Sequence, residues 1–297
     1  EPGSTVTVTY PDGTTATVVA GTDGSWTVPN PGLNDGDVVT ATATDAAGNE
    51  SVPATEVVDA LAPAAPEIDP INGTDPITGT AEPGSTVTVT YPDGTTATVV
   101  AGTDGSWTVP NPGLNDGDVV TATATDAAGN ESVPATEVVD ALAPVAPEID
   151  PINGTDPITG TAEPGSTVTV TYPDGTTATV VAGTDGSWTV PNPGLNDGDV
   201  VTATATDPAG NESAPATEVV DALAPTAPEI DPINGTDPIT GTAEPGSTVT
   251  VTYPDGTTAT VVAGTDGSWT VPNPGLNDGD VVTATATDAA GNESVPA

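Results

Sequence analysis

Thr5-Val6-Thr7-Val8-Thr9-Tyr10 is the stretch that decides the fold. Its strict alternation puts Val6, Val8 and Tyr10 on one face of an extended strand and three threonines on the other. β-Branched residues fit a pleated, half-buried surface better than a helix. Val39-Thr40-Ala41-Thr42-Ala43-Thr44 repeats the pattern with smaller inward residues, and Trp26 and Val28 share a face in Ser25-Trp26-Thr27-Val28. Between these runs stand Pro11-Asp12-Gly13, Thr22-Asp23-Gly24, Asn34-Asp35-Gly36 and Ala47-Gly48-Asn49, residue types that suit tight turns. No segment carries apolar residues at helical spacing.

The same stretch returns every 81 residues: Glu1-Pro2-Gly3-Ser4 recurs at Glu82, Glu163 and Glu244. Only three columns differ between copies: Ala46, Ala127, Pro208 and Ala289; Val52, Val133, Ala214 and Val295; Ala64, Val145 and Thr226. The period exceeds the solenoid unit of about 20–50 residues and suits a self-contained module. The Pro-rich stretch after Val57-Val58-Asp59 reads as a strand end followed by a stiff linker. This divides the chain into a partial module lacking its first strands (1–59), two complete modules (60–140 and 141–221), and a partial one lacking its last strand (222–297). The chain opens at Glu1 without Met, as expected of a piece of a longer protein. In the second module, strands are expected near 67–71, 77–81, 86–91, 96–101, 106–109, 118–126 and 135–139. Seven short antiparallel strands with turns every 8–12 residues, roughly, describe an immunoglobulin-like sandwich. The expected architecture is all-β: tandem immunoglobulin-like seven-stranded β-sandwiches in an extended rod, on the order of 130–170 Å for four modules.

Composition narrows function sharply. The 297 residues include 43 Asp plus Glu and no Lys, Arg, His or Cys, for a formal charge of −43. That excludes a His-based triad, a thiol nucleophile, a Schiff base, a His or Cys zinc site and a P-loop. No side chain can pair with a phosphate, so nucleic acid and anionic membranes are not expected partners. No apolar run is long enough to span a bilayer, so membrane insertion is not expected. Paired carboxylates could suggest a glycosidase, but no aromatic-lined cleft accompanies them, and no enzyme activity is expected. The competing expectation is an acidic disordered spacer, because residues 1–81 hold only 10 Val, 3 Ile and 2 Leu. Against it stand the alternation, the placed turns, and one Trp and one Tyr per period, with Trp107 the expected core anchor of its module.

Strand direction sorts the acids. In an antiparallel sandwich the loops after the first, third and fifth strands share a pole with the end of the seventh, and face the opposite pole of the next module. At the junction of the second and third modules this gathers Asp69, Asp75, Asp116, Asp118 and Asp140 opposite Glu163, Asp185, Asp207 and Asn211. Equivalent positions are Asp59, Glu82, Asp126 and Asn130 at the first junction, and Asp150, Asp156, Asp199, Asp221, Glu244, Asp288 and Asn292 at the last. Like charges about 4 Å apart repel by about 1–4 kcal/mol even when substantially screened. Ca²⁺ takes oxygen ligands of this kind, which makes it the expected cofactor. No contiguous calcium loop is present, so any site would be assembled from several loops. Asp93 and Asp104 read as turn formers; Asp140 and Asp207, outside Asp-Gly turns, read as ligands.

Three segments in order carry a resemblance: Gly79-Thr80-Ala81-Glu82-Pro83-Gly84-Ser85-Thr86-Val87-Thr88-Val89, Asp104-Gly105-Ser106-Trp107-Thr108-Val109, and Ala124-Thr125-Asp126-Ala127-Ala128-Gly129-Asn130-Glu131-Ser132. They resemble the bacterial Ig-like tandem repeats of giant type I-secreted adhesins, the biofilm-associated protein (Bap) family. The resemblance implies a cell-surface or extracellular location and stalk repeats that project an adhesive tip for cell adhesion and biofilm formation. It also implies stiffening by Ca²⁺ between modules. Neighbouring repeats, other adhesin chains and matrix polymers are the partners it points to. The family's terminal adhesive modules and nonapeptide calcium repeats do not appear. A different function, direct binding to ice or another lattice, is suggested by the outward threonines: Thr86, Thr88 and Thr90 should flank Thr121, Thr123 and Thr125. Sheet twist opposes a flat match.

Overall fold

The computed structural model describes residues 1–297 and consists of strands and connecting loops, with no helix. The chain forms two compact units, Glu1–Ala141 and Leu142–Ala297. The first unit opens with β1 (Thr5–Thr9), β2 (Thr15–Val19), β3 (Val38–Thr44) and β4 (Ala54–Val57), one antiparallel sheet in the order β2-β1-β3-β4. It continues with β5 (Glu67–Ile68), β6 (Ile77–Thr80), β7 (Thr86–Thr90), β8 (Thr96–Val100), β9 (Ser106–Val109), β10 (Val119–Thr125) and β11 (Ala135–Val138). These seven make a complete sandwich of a three-stranded sheet, β5-β6-β9, and a four-stranded sheet, β11-β10-β7-β8. The fourth strand joins the third rather than the fifth.

The alternation does what the pattern implies. Val87 and Val89 point into the sandwich with no exposure, while Thr86, Thr88 and Thr90 face outward. Across the pair, Thr88 opposes Thr123 and Val89 opposes Ala122, so small inward residues on β10 leave room for valines on β7. The core gathers Ile71, Ile77, Val87, Val89, Tyr91, Trp107, Val109, Leu114, Val120 and Val139. Trp107, 3% exposed, lies across the ladder from Gly79. A Cβ at Gly79 would strike the Trp107 indole and the Glu67 carbonyl, so glycine is the residue that lets the ring lie flat over the strand. Tyr91 donates its hydroxyl proton to the Pro110 carbonyl at 2.5 Å, tying β7 to the end of β9. Burial raises its pKa. At the β7–β8 turn, Gly94 sits at φ 82°, a conformation that favours glycine. Asp93 closes that turn by accepting from Thr95 N–H and Oγ1 at 2.8 and 2.6 Å.

The second unit repeats the plan with β12 (Glu148–Ile149), β13 (Ile158–Thr161), β14 (Thr167–Thr171), β15 (Thr177–Val181), β16 (Ser187–Val190), β17 (Val200–Thr206) and β18 (Ala216–Val219). It ends with β19 (Glu229–Ile230), β20 (Ile239–Thr242), β21 (Thr248–Thr252), β22 (Thr258–Val262), β23 (Ser268–Val271) and β24 (Thr283–Thr287). Here the second sheet has three strands, β22-β21-β24.

Two expectations change. The disordered spacer is overturned: few apolar residues suffice because the inward-facing ones gather into one core per complete sandwich, while Val100, Val119, Val133 and Val138 stay exposed. In the first repeat, Ser25-Trp26-Thr27-Val28 is not a strand and Trp26 is 43% exposed. The identical segment 106–109 is a strand because it pairs with Ile77–Thr80, and residues 25–28 have no such partner. Every residue in the three variable columns is exposed, so the copies differ only where packing is indifferent.

Candidate functional site

The acids lie in loops at the sandwich poles, and the loops' own hydrogen bonds decide where each carboxylate points. Asp126 accepts from Ala128 N–H and Asn130 N–H at 2.9 Å each, and from the Asn130 side chain at 2.8 Å. The Asn130 bond, foremost, and these backbone donors hold its carboxyl below the usual carboxylate range. Asp207 is buried with the same two Asn211 donors at 2.9 and 2.8 Å, and Asp288 repeats them with Asn292 at 2.9 Å each. Asp104 and Asp185 are held low in the same way, chiefly by the Ser106 and Ser187 hydroxyls.

The other candidates accept through their carboxylates from nearby donors or, for Asp140 and the three glutamates, are bonded through their backbone. Asp69 and Asp150 accept from the Thr78 and Thr159 hydroxyls at 2.5 and 2.6 Å. Asp75 and Asp156 accept from Asn72 and Asn153 at 2.7 and 2.6 Å. Asp118 and Asp199 accept from the Asn115 and Asn196 amides at 2.9 and 2.8 Å. Asp116 accepts from Ala141 N–H at 3.2 Å, and Asp59 and Asp221 from the N–H two residues on, also at 3.2 Å. Asp140 donates its backbone N–H to the Ile71 carbonyl at 2.9 Å. Glu82, Glu163 and Glu244 accept through their carbonyls from Ser85, Ser166 and Ser247 at 2.7 Å.

What the structure joins between successive repeats is side-chain amide to backbone. In the first unit Asn130 Nδ2 donates to the Asp59 carbonyl at 3.1 Å. In the second, Asn292 Nδ2 donates to the Asp221 carbonyl at 2.7 Å and Asn153 Nδ2 to the Ala290 carbonyl at 3.1 Å. No three carboxylates come together as a group able to hold a metal ion. Within each unit, loop donors already engage Asp carboxylates such as Asp126 and Asp288, so a cation there would compete with those hydrogen bonds. Sequence reasoning singled out Asn130 and Asn292 as ligands; their place as connectors depends on a partner carbonyl 71 residues away, which no local pattern signals.

The outward threonines form ranks across the four-stranded sheet. Thr96, Thr90, Thr121 and Thr136 stand in register, and so do Thr98, Thr88 and Thr123. No helix is long and apolar enough to cross a membrane.

Residues 1–59, 62–140, 143–221 and 224–297 each match the model of the bacterial Ig domain, and the chain belongs to that family. Among solved structures it is similar to a biofilm associated protein BSP domain, at 14% identity over 88% of this chain and 73% of that one, with a TM-score of 0.28. It is also similar to the central fibronectin-III array of RIM-binding protein, at 16% identity over 81% and 96% of the two chains, with a TM-score of 0.25. No curated protein matches the chain.

Proposed function

We propose that the chain is a run of non-enzymatic stalk repeats from a bacterial cell-surface adhesin, holding an adhesive tip away from the cell. The observation that carries this is the head-to-tail series of near-identical Ig modules, in which each unit ties its own two modules by an asparagine side chain to the preceding backbone. Short Pro-containing linkers and the motif resemblance to Bap-family repeats support it. Small-angle scattering tests the reading: a maximum dimension below about 100 Å would overturn it, because four modules in series must span more.

Ca²⁺ belongs to the same proposal through charge rather than a preformed ligand set. The 43 acids have no cationic side chain to meet, and binding would require loops such as 126–130 to give up present hydrogen bonds. Export by type I secretion and contacts with matrix polymers rest on the motif resemblance alone.

A second reading, direct binding to an ordered lattice, is favoured by the registered threonine ranks. Thermal hysteresis in a solution of the chain would support it for ice, and its absence would remove ice as the lattice.

A further inference from the structure

Each complete sandwich contains one Asn-Gly pair, Asn72-Gly73 in the first unit and Asn153-Gly154 in the second, and the fold constrains both residues. The asparagine lies in the loop between β5 and β6, or β12 and β13, and is 6% exposed in both copies. Asn72 Nδ2 donates to Asp75 Oδ2 at 2.7 Å; its Oδ1 accepts from Asp75 N–H at 2.7 Å and from Thr74 N–H at 2.9 Å. Its carbonyl accepts from Asn111 Nδ2 at 2.9 Å, which fastens this loop to the one after β9. Asn153 repeats the four bonds with Asp156, Thr155 and Asn192, at 2.6 to 2.9 Å. An ionised aspartate in its place could accept but would have no hydrogen to give Asp75. Glycine is held equally firmly. A Cβ at Gly73 would come within 2.9 Å of the Leu114 carbonyl oxygen and 3.2 Å of Ala141 Cβ, and Gly154 meets Leu195 and Ala222 at the same distances.

The pair that packing demands is also chemically reactive. The Gly73 nitrogen can attack Asn72 Cγ. A new N–Cγ bond closes a cyclic succinimide, the Cγ–Nδ2 bond breaks, and the Gly73 proton leaves with Nδ2 as ammonia. Water then opens one of the two ring carbonyls, giving aspartate or isoaspartate. Glycine presents no side chain to hinder the attack. In the closed loop Oδ1 is held over the Thr74 and Asp75 N–H groups, and the leaving nitrogen is held by Asp75. Ring closure there must break all three bonds inside a buried site. Opening of the module removes the restraint.

We propose that Asn72-Gly73 and Asn153-Gly154 are deamidation sites gated by the fold. A closed module protects its site; a module held open is converted irreversibly and no longer closes to its former stability. Aspartate at 72 puts an oxygen where Nδ2 touched Asp75, so two acids face each other across a former hydrogen bond. Isoaspartate lengthens the main chain by one carbon and displaces the carbonyl that Asn111 holds. No Lys, Arg or His is present to relieve the added charge.

The test incubates the full chain for days at about pH 8 and about 37 °C, in buffer and in about 6 M guanidinium chloride. Mass spectrometry of peptides that include residue 64 or 145 reads the two sites separately, because Ala64 and Val145 differ. Both asparagines should convert in denaturant and convert at least roughly tenfold more slowly in buffer. Asn130, followed by Glu131, gives the background rate of a hindered site. The double variant Asn72→Asp, Asn153→Asp, made without incubation, should melt at least about 5 °C below the parent or fail to fold. Equal conversion in buffer and denaturant would show that the fold does not protect the sites. A double variant that melts with the parent would show that conversion leaves the modules unharmed. Either result overturns the proposal.

Discussion

Trp107 and Trp26 share a sequence context but not a fate, and the contrast sets the price of the core in kilocalories. Replacing buried Trp107 with Ala should cost about 3–5 kcal/mol, comparable to the stability of a small sandwich. Trp26→Ala should cost well under half of that, because its ring is already 43% exposed. Denaturant unfolding of each variant of the full chain, followed by circular dichroism, reads the difference. Near-equal losses would mean that Trp107 does not anchor its core. Trp107 Nε1 is buried without a hydrogen-bond partner, so Trp107→Phe, which removes that donor and keeps a ring, should lose less than Trp107→Ala. Asp126 gives a second prediction. Its carboxyl is held low in the fold, so its contribution is present above the unfolded pKa and lost as pH falls through the folded one. The gap in melting temperature between the parent and Asp126→Ala should hold from neutral pH down to about 5 and shrink below about 4. A gap that widens on acidification would contradict the hydrogen-bond assignment.

Among the elements, the seven strands of a complete repeat were legible because alternation, turn residues and inward size all agree. Observed strands start at the expected residue or one later and end at it or up to three earlier, as at 67–71 against Glu67–Ile68, where Pro70 cannot donate to a ladder. The segment 25–28 was not legible, since its state depends on a partner strand rather than on its own residues. The candidate site divides in the same way. Asp93 and Asp104 as turn formers follow from local chemistry and hold. Loop position alone did not show the local partners of the acids: an Asp oxygen two or four residues from a free backbone N–H accepts from it, as Asp126 does. The Asn130 bond makes a further prediction at this scale. Asn130→Ala should broaden the distribution of angles between the first two modules while leaving each module's unfolding unchanged; spin-label distance measurements across residues 59 and 60 read the angle. An unchanged distribution would show that the linker alone sets it.

Over the whole molecule, charge is of one sign apart from the amino terminus, so no side-chain ion pair offsets the repulsion. Raising ionic strength from about 10 mM to about 150 mM, which shortens the screening length from about 30 Å to about 8 Å, should raise the melting temperature. Ca²⁺ compared with Na⁺ at matched ionic strength separates binding from screening: an added rise with Ca²⁺ supports coordination, and equal curves leave only a solvated acidic surface. The matching registers of β7 with β10 and of β14 with β17 carry one more consequence. Each strand is an acceptable substitute for its namesake 81 residues away, so nothing in side-chain chemistry tells a chain in bulk refolding which copy to choose. Kinetic partitioning into cross-repeat misassemblies should therefore be appreciable on dilution from denaturant, and should fall when the chain emerges one module at a time, each closing before its double exists.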